Sequence, residues 1–134
     1  MTNSLTRLNP SALPDTGKVG YSQISIAGTG PLAFVSGQVA WSAEGGSVPD
    51  TLADQTAIVI ENLQGALTAL SATPQDIVQM RIYVTELTPQ TQEIAMMQII
   101  GFLDGAQPSL TGIGVTALAA PGLQIEIEMV VQTS

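Results

Sequence analysis

The sequence predicts an α+β domain: a single mixed sheet with two helices on one face, in the order β-β-α-β-α-β-β. Three observations predict it. Two segments repeat apolar residues at three- and four-residue intervals, others alternate apolar with polar residues, and prolines and glycines stand between them. With 134 residues the chain is long enough to bury one core without disulfides or metal.

Residues 1–19 hold two of the early prolines, several hydroxyl residues and no sustained periodicity, which predicts an N-terminal arm that orders on a neighbour. Residues 20–134 then form one domain. Residues 21–27 alternate, Gly28-Thr-Gly-Pro31 turns the chain, and residues 32–41 form a second strand antiparallel to the first. Gly37, inside that run, marks a bulge or a place where another backbone or a ligand comes close. After a glycine-rich loop, Leu52, Thr56, Val59, Leu63, Leu67 and Leu70 fall on one helix face, with Asp50 or Thr51 as N-cap. Thr73-Pro74 ends that helix. Residues 77–85 alternate as a third strand, with Met80, Ile82 and Val84 on one face and Arg81 and Tyr83 on the other. Thr88-Pro89 is a cap followed by proline at the first helical position, opening a second helix that runs to about Gly105. Residues 109–118 and 123–131 are the last two strands.

Composition narrows the chemistry. Charged residues make up 10% of the chain, against about 25% in an average soluble protein, while 45% is hydrophobic. So little charge predicts that part of the surface is buried against other copies. There is no cysteine or histidine, and the only cations are Arg7, Lys18 and Arg81. Ser-His-Asp and Cys-His catalysis therefore lack a component, zinc lacks its usual ligands, and no metal or cofactor is expected. The net charge of −8 argues against nucleic acid, which is bound by cations that displace counterions. No apolar run reaches the ~20 residues of a membrane span, so the expectation is a cytoplasmic protein with no membrane partner.

Tyr21-Ser-Gln23, Val35-Ser-Gly-Gln38, Asp54-Gln-Thr56 with Glu61-Asn-Leu63, Tyr83-Val-Thr-Glu-Leu87 and Ile125-Glu-Ile-Glu128 follow one another in the order and spacing of the RidA family, also called YjgF or L-PSP. The resemblance spans residues from about 20 to 131. It implies a chorismate-mutase-like fold assembled as a homotrimer, with small-molecule clefts between subunits. It also implies hydrolysis of reactive enamines and imines such as 2-aminoacrylate, in which an arginine grips the substrate carboxylate and a glutamate positions water. On this correspondence the pocket tyrosine is Tyr21, the Ser-Gly pair is Ser36 and Gly37, and the catalytic glutamate is Glu126. The arginine position falls on Leu110, followed by Thr111, where the family reads Arg-Ser-Cys or similar and this chain reads Leu-Thr-Gly.

Each of these residues also has a plainer reading. Leu110 reflects a strand shifted by one residue, packs in a core, or marks an altered cleft. Glu126 and Glu128, two residues apart, share a strand face and form either an acid pair in a cleft or a solvated pair with Arg81 as partner. Tyr21 stacks on a ligand or closes the sheet edge. Ser36 and Gly37 act through backbone N–H groups, because no base activates the hydroxyl. Trp41 and Met96-Met97 read as core or interface packing.

Three functional readings follow. The first is a trimer that binds a small, largely neutral or apolar metabolite, with weak hydrolytic activity on imine, enamine or carbonyl compounds through Glu126. The second is a true imine deaminase with a substitute cation, for which Arg7, Lys18 or Arg81 must enter the cleft. The third is a non-catalytic regulatory or interaction protein.

Overall fold

A computed structural model of the chain describes residues 5–134. Its order is β1 Thr6–Leu8, β2 Ile24–Ile26, β3 Leu32–Gln38, α1 Leu52–Ala69, β4 Ile77–Val84, α2 Pro89–Leu103, β5 Ser109–Gly114 and β6 Ile125–Gln132, with short 3-10 turns at Gly17–Val19 and Pro74–Asp76. Four strands form the main sheet in the order β3-β6-β4-β5, and β1 and β2 form a separate ribbon. β6 runs antiparallel to β3 and β4, whereas β4 and β5, joined through α2, are parallel. The sheet is mixed, as expected for the α+β class.

Both helices start where local chemistry allows. Thr51 is the N-cap of α1 and accepts from the Asp54 backbone N–H at 3.1 Å. Thr88 caps α2 with a reciprocal Thr88–Thr91 pair, and Pro89 occupies a position whose N–H would have no helical partner. The helices bury Val59, Leu63, Leu67, Ile99 and Leu103 against the alternate residues Ile77, Met80, Ile82, Ile125, Ile127 and Val131 of β4 and β6. Full burial of each such side chain contributes about 1.5–3 kcal/mol before chain entropy is counted. Fully buried Gln55 is satisfied on every side: its amide donates to Pro49 O at 2.9 Å and Gly122 O at 2.8 Å and accepts from Gln124 N at 2.8 Å. That clamp ties both loops to α1.

The N-terminal region departs from expectation. Residues 6–8 of the arm form β1 and pair with β2 of the same chain, so the strand expected to pair with β3 pairs with the arm instead. The first four arm residues lie outside the described residues. Arg7 anchors the ribbon, donating to Ile77 O at 2.9 Å and Gln75 O at 3.0 Å. Gly28-Thr-Gly-Pro31 does not close a hairpin because the chain there is bound elsewhere. Thr133 N donates to Pro31 O at 3.0 Å, and the Gln132 amide reaches the carbonyls of Thr29 and Pro31. These bonds seat β3 beside β6. β3 also ends at Gln38 rather than residue 41, where the Trp41 N–H turns back onto Val39 O at 2.7 Å, and its register against β6 shifts between Val35 and Gln38. Gly37 lies in that irregular stretch.

Candidate functional site

Four of the residues singled out in the sequence fall in two separate cavities, with the Leu110 and Glu126 side chains on opposite faces of the sheet, while Ser36 and Thr111 line neither. The first is a cavity of about 520 Å³ between the N-terminal segment, the β4–β5 edge and the start of α2, and it holds both Tyr21 and Leu110. Several bonds bring Tyr21 there. The Gln107 amide donates to Gly17 O at 2.9 Å, Ser22 N donates to Pro108 O at 3.0 Å, and Ser25 and Ser109 share a hydroxyl bond of 2.8 Å. Leu110 lies opposite Met80 in the β4–β5 register, so its side chain takes the helix side of the sheet and packs against the core while bordering the cavity. The core reading of Leu110 therefore holds, and the residue that shares the face of Arg81 is its neighbour Thr111. Val19, Leu87, Met96 and Glu93 complete much of the remaining wall, and no lysine or arginine lines it.

The second place is a smaller hollow of about 290 Å³ where β3 ends beside β6, lined by Gly37, Gln38, Trp41, Asn62 and Glu126 among others. Its construction depends on Gly37. A Cβ at that position would lie 2.1 Å from Glu126 Oε2 and 2.8 Å from its Cγ, so the carboxylate rests on bare backbone. Asn62 on α1 holds the wall in place by donating to Val39 O at 3.3 Å and Trp41 O at 3.0 Å. Asn62 and Trp41 line this hollow, a place that sequence reasoning did not assign to them. The Asn62 signal was an amide on the helix beside buried Leu63, whereas an aromatic ring alone does not distinguish a pocket wall from packing.

Glu126 and Glu128 share a face, as their spacing requires, because Ile125, Ile127 and Met129 between and around them are buried. Arg81 is the register partner of Glu128 and Tyr83 that of Glu126. The Tyr83 hydroxyl donates to the Glu128 carboxylate. That bond raises the phenol above its ordinary value, aided by desolvation and by the carboxylate's charge, with Arg81 acting in the opposite direction. The partner anticipated for the two acids was Arg81, whereas the side-chain bond found is from Tyr83 to Glu128. Thr111 is exposed and pairs with Arg81 on this same face. Ser36 is also exposed, and its carbonyl accepts from the Gln38 amide at 3.0 Å. In a single chain, Tyr21 and Leu110 do not meet Glu126 and Gly37.

The family described as Endoribonuclease L-PSP matches residues 14–133. The chain belongs to the RidA/YjgF/L-PSP family. Among relatives of this family, the RutC family protein YjgH of Escherichia coli is 32% identical over 102 residues, covering 76% of each chain. A solved structure of a Yersinia pestis protein of the Rid family, YyfB, superposes with a TM-score of 0.88 at 36% identity, covering 96% of this chain and 98% of that one. Rv2704 of Mycobacterium tuberculosis, from the YjgF/YER057c/UK114 family, gives a TM-score of 0.60 at 32% identity, covering 97% and 100%. The RidA-family fold places Leu110 and Glu126 on different faces of one sheet in this chain, and among the described residues no helix is long and apolar enough to cross a membrane.

Proposed function

We propose that this RidA-family protein works as a homotrimer whose ligand clefts are composite, with the Tyr21–Leu110 cavity of one subunit facing the Glu126–Gly37 hollow of the next. The observation that carries the reading is the separation of the two half-sites by the sheet: a ligand that uses both can do so only across a subunit boundary. The open face of the sheet supports it, since Phe34 remains 76% exposed in the single chain. Light scattering on a sizing column tests the assembly. A monomer at micromolar concentration overturns it.

The cleft takes a small, largely apolar metabolite and hydrolyses imine or enamine carbon weakly. Glu126 is the group suited to proton transfer: it accepts a proton from water as the oxygen bonds to the C=N carbon, then returns one to nitrogen. The resulting carbinolamine collapses to the carbonyl compound and ammonia, which balances addition of one water against loss of one amine. Leucine at 110 cannot make the paired charge-assisted bonds of a guanidinium to a substrate carboxylate. Losing such a contact removes about 1.5–3 kcal/mol, roughly one to two decades in rate where the contact exists in the transition state. The protein is therefore expected to hydrolyse 2-aminoacrylate at least one decade more slowly than an arginine-bearing relative. Leu110→Arg raises that rate and Glu126→Gln removes what remains. Wild-type turnover equal to the arginine-bearing relative's would overturn the reading.

A second reading, a full imine deaminase with a substitute cation, has one observation in its favour: Arg81 stands on the face that carries Glu126 and Glu128. Arg7 is committed to backbone carbonyls. Loss of 2-aminoacrylate hydrolysis in Arg81→Gln, with the trimer intact, would select this reading over the first. The ribonuclease activity in the family's description is not proposed for this chain, whose net charge of −8 repels phosphate. RNA retained at physiological salt by nuclease-free protein would reverse that judgement.

A further inference from the structure

The two half-sites share a chemical signature beyond the missing arginine. Among the described residues, the one acidic or basic side chain lining the larger cavity is Glu93, set among apolar walls that include the Tyr21 ring. In the smaller hollow it is Glu126, beside Trp41. Each half-site therefore pairs one carboxylate with one aromatic ring, and no cation lines either. Lys18, next in sequence to cavity-lining Val19, is exposed on the 3-10 turn and is not part of the wall.

That combination selects by sign. A carboxylate near an apolar wall repels an anionic ligand and attracts a protonated nitrogen, while the face of an aromatic ring presents negative potential to the same cation. The surrounding chain, with eleven acidic residues against three basic ones, adds a field of the same sign. The walls contributed by Leu110, Met96, Leu87 and Val19 then require a compact hydrocarbon body. We infer that the cleft is built for a small apolar amine or iminium compound that bears a positive nitrogen and no carboxylate or phosphate. This inference rests on the proposed use of the Tyr21–Leu110 cavity as a ligand site, and it names the ligand class.

Cyclohexylamine, cyclohexanol and cyclohexanecarboxylate share one body and differ in charge, the amine being protonated and the acid ionised at neutral pH. Titration of each into the full chain, followed by calorimetry and by the methyl resonances of Met96 and Leu110, separates the possibilities. The amine is expected to bind about tenfold more tightly than the carboxylate, a modest factor because Glu93 is exposed and each such contact is weak. Added salt should narrow the gap. Glu93→Gln, a substitution on the exposed helix surface, should weaken the amine about threefold and leave the alcohol unchanged. Equal affinity for all three probes, or an amine affinity indifferent to Glu93→Gln, overturns the inference while the cavity remains a ligand site. A carboxylate that binds more tightly than the amine does the same. If no probe moves the Met96 or Leu110 signals, the cavity is not a ligand site and the proposed function fails with the inference.

Discussion

The two faces of the main sheet are built from alternate residues of the same strands and have been put to opposite uses. In β6, Ile125, Ile127, Met129 and Val131 are buried beneath the helices, whereas Glu126 and Glu128 between them face away. In β4, Met80 and Ile82 join the core while Arg81 and Tyr83 sit with the acids. One face is therefore a finished hydrophobic interior. The other carries titratable groups and the exposed ring of Phe34. A period of two residues lets one strand supply both stability and chemistry without either compromising the other.

The largest expected difference between the faces is in stability. Ile127→Ala leaves a cavity among packed neighbours and should cost about 2–5 kcal/mol. The matched change on the open face, Phe34→Ala, should alter the stability of the isolated chain far less, because that ring is 76% exposed. Denaturant midpoints measured at low protein concentration make the comparison. At high concentration Phe34→Ala should instead lower the assembly state. Equal losses for the two substitutions in dilute protein would mean that the open face is packed within a single chain.

A smaller effect tests how the open face holds its carboxylate. Gly37→Ala places a methyl group within 2.1 Å of Glu126 Oε2, and the contacts at Cδ and Cγ, 2.6 and 2.8 Å, are too close for the terminal oxygen alone to swing aside. The whole side chain must leave its rotamer. The cost should be about 0.5–1.5 kcal/mol, and the loss should largely vanish when Glu126 is already alanine. A double-mutant cycle between Gly37→Ala and Glu126→Ala reads this coupling directly. Additive losses would show that Gly37 serves the bulge alone.

The division between faces also explains what the sequence revealed. α1, α2, β4 and β6 were legible because burial imposes a period on many consecutive residues, and Thr51, Thr88 and Pro89 carry end signals that act locally. Gly37 announced a close approach, though not that its neighbour would be Glu126, which is distant in sequence. β1 was illegible for the opposite reason: three residues, Thr6 to Leu8, cannot display a period, and their partners Ile24 to Ile26 read equally well as a neighbour for β3. Only the long-range bonds from residues 132 and 133 to the 29–31 turn decide that question. Candidate site residues were legible one by one. Their separation into two half-sites was not, because it depends on Leu110 following the face of Met80 while Glu126 follows that of Tyr83.

The smallest expected effect concerns Tyr83, which distinguishes the open face from an ordinary solvated one. Its hydroxyl donates to Glu128, and the neutral phenol is favoured because ionisation would remove that donor and set two negative charges side by side. The folded-state pKa therefore lies above the unfolded value of about 10. The contribution to stability is fully present below the unfolded value and is lost as pH rises through the folded one. Ultraviolet titration of phenolate absorbance should show Tyr83 ionising later than a free tyrosine, and Tyr83→Phe identifies its share of the signal. Glu128→Gln should bring the transition down by removing the charge. Arg81→Gln should move it further up, because Arg81 opposes the shift. If Tyr83 titrates like a free tyrosine in all these proteins, the Tyr83–Glu128 bond does not persist in solution, and the face is a set of independent solvated side chains.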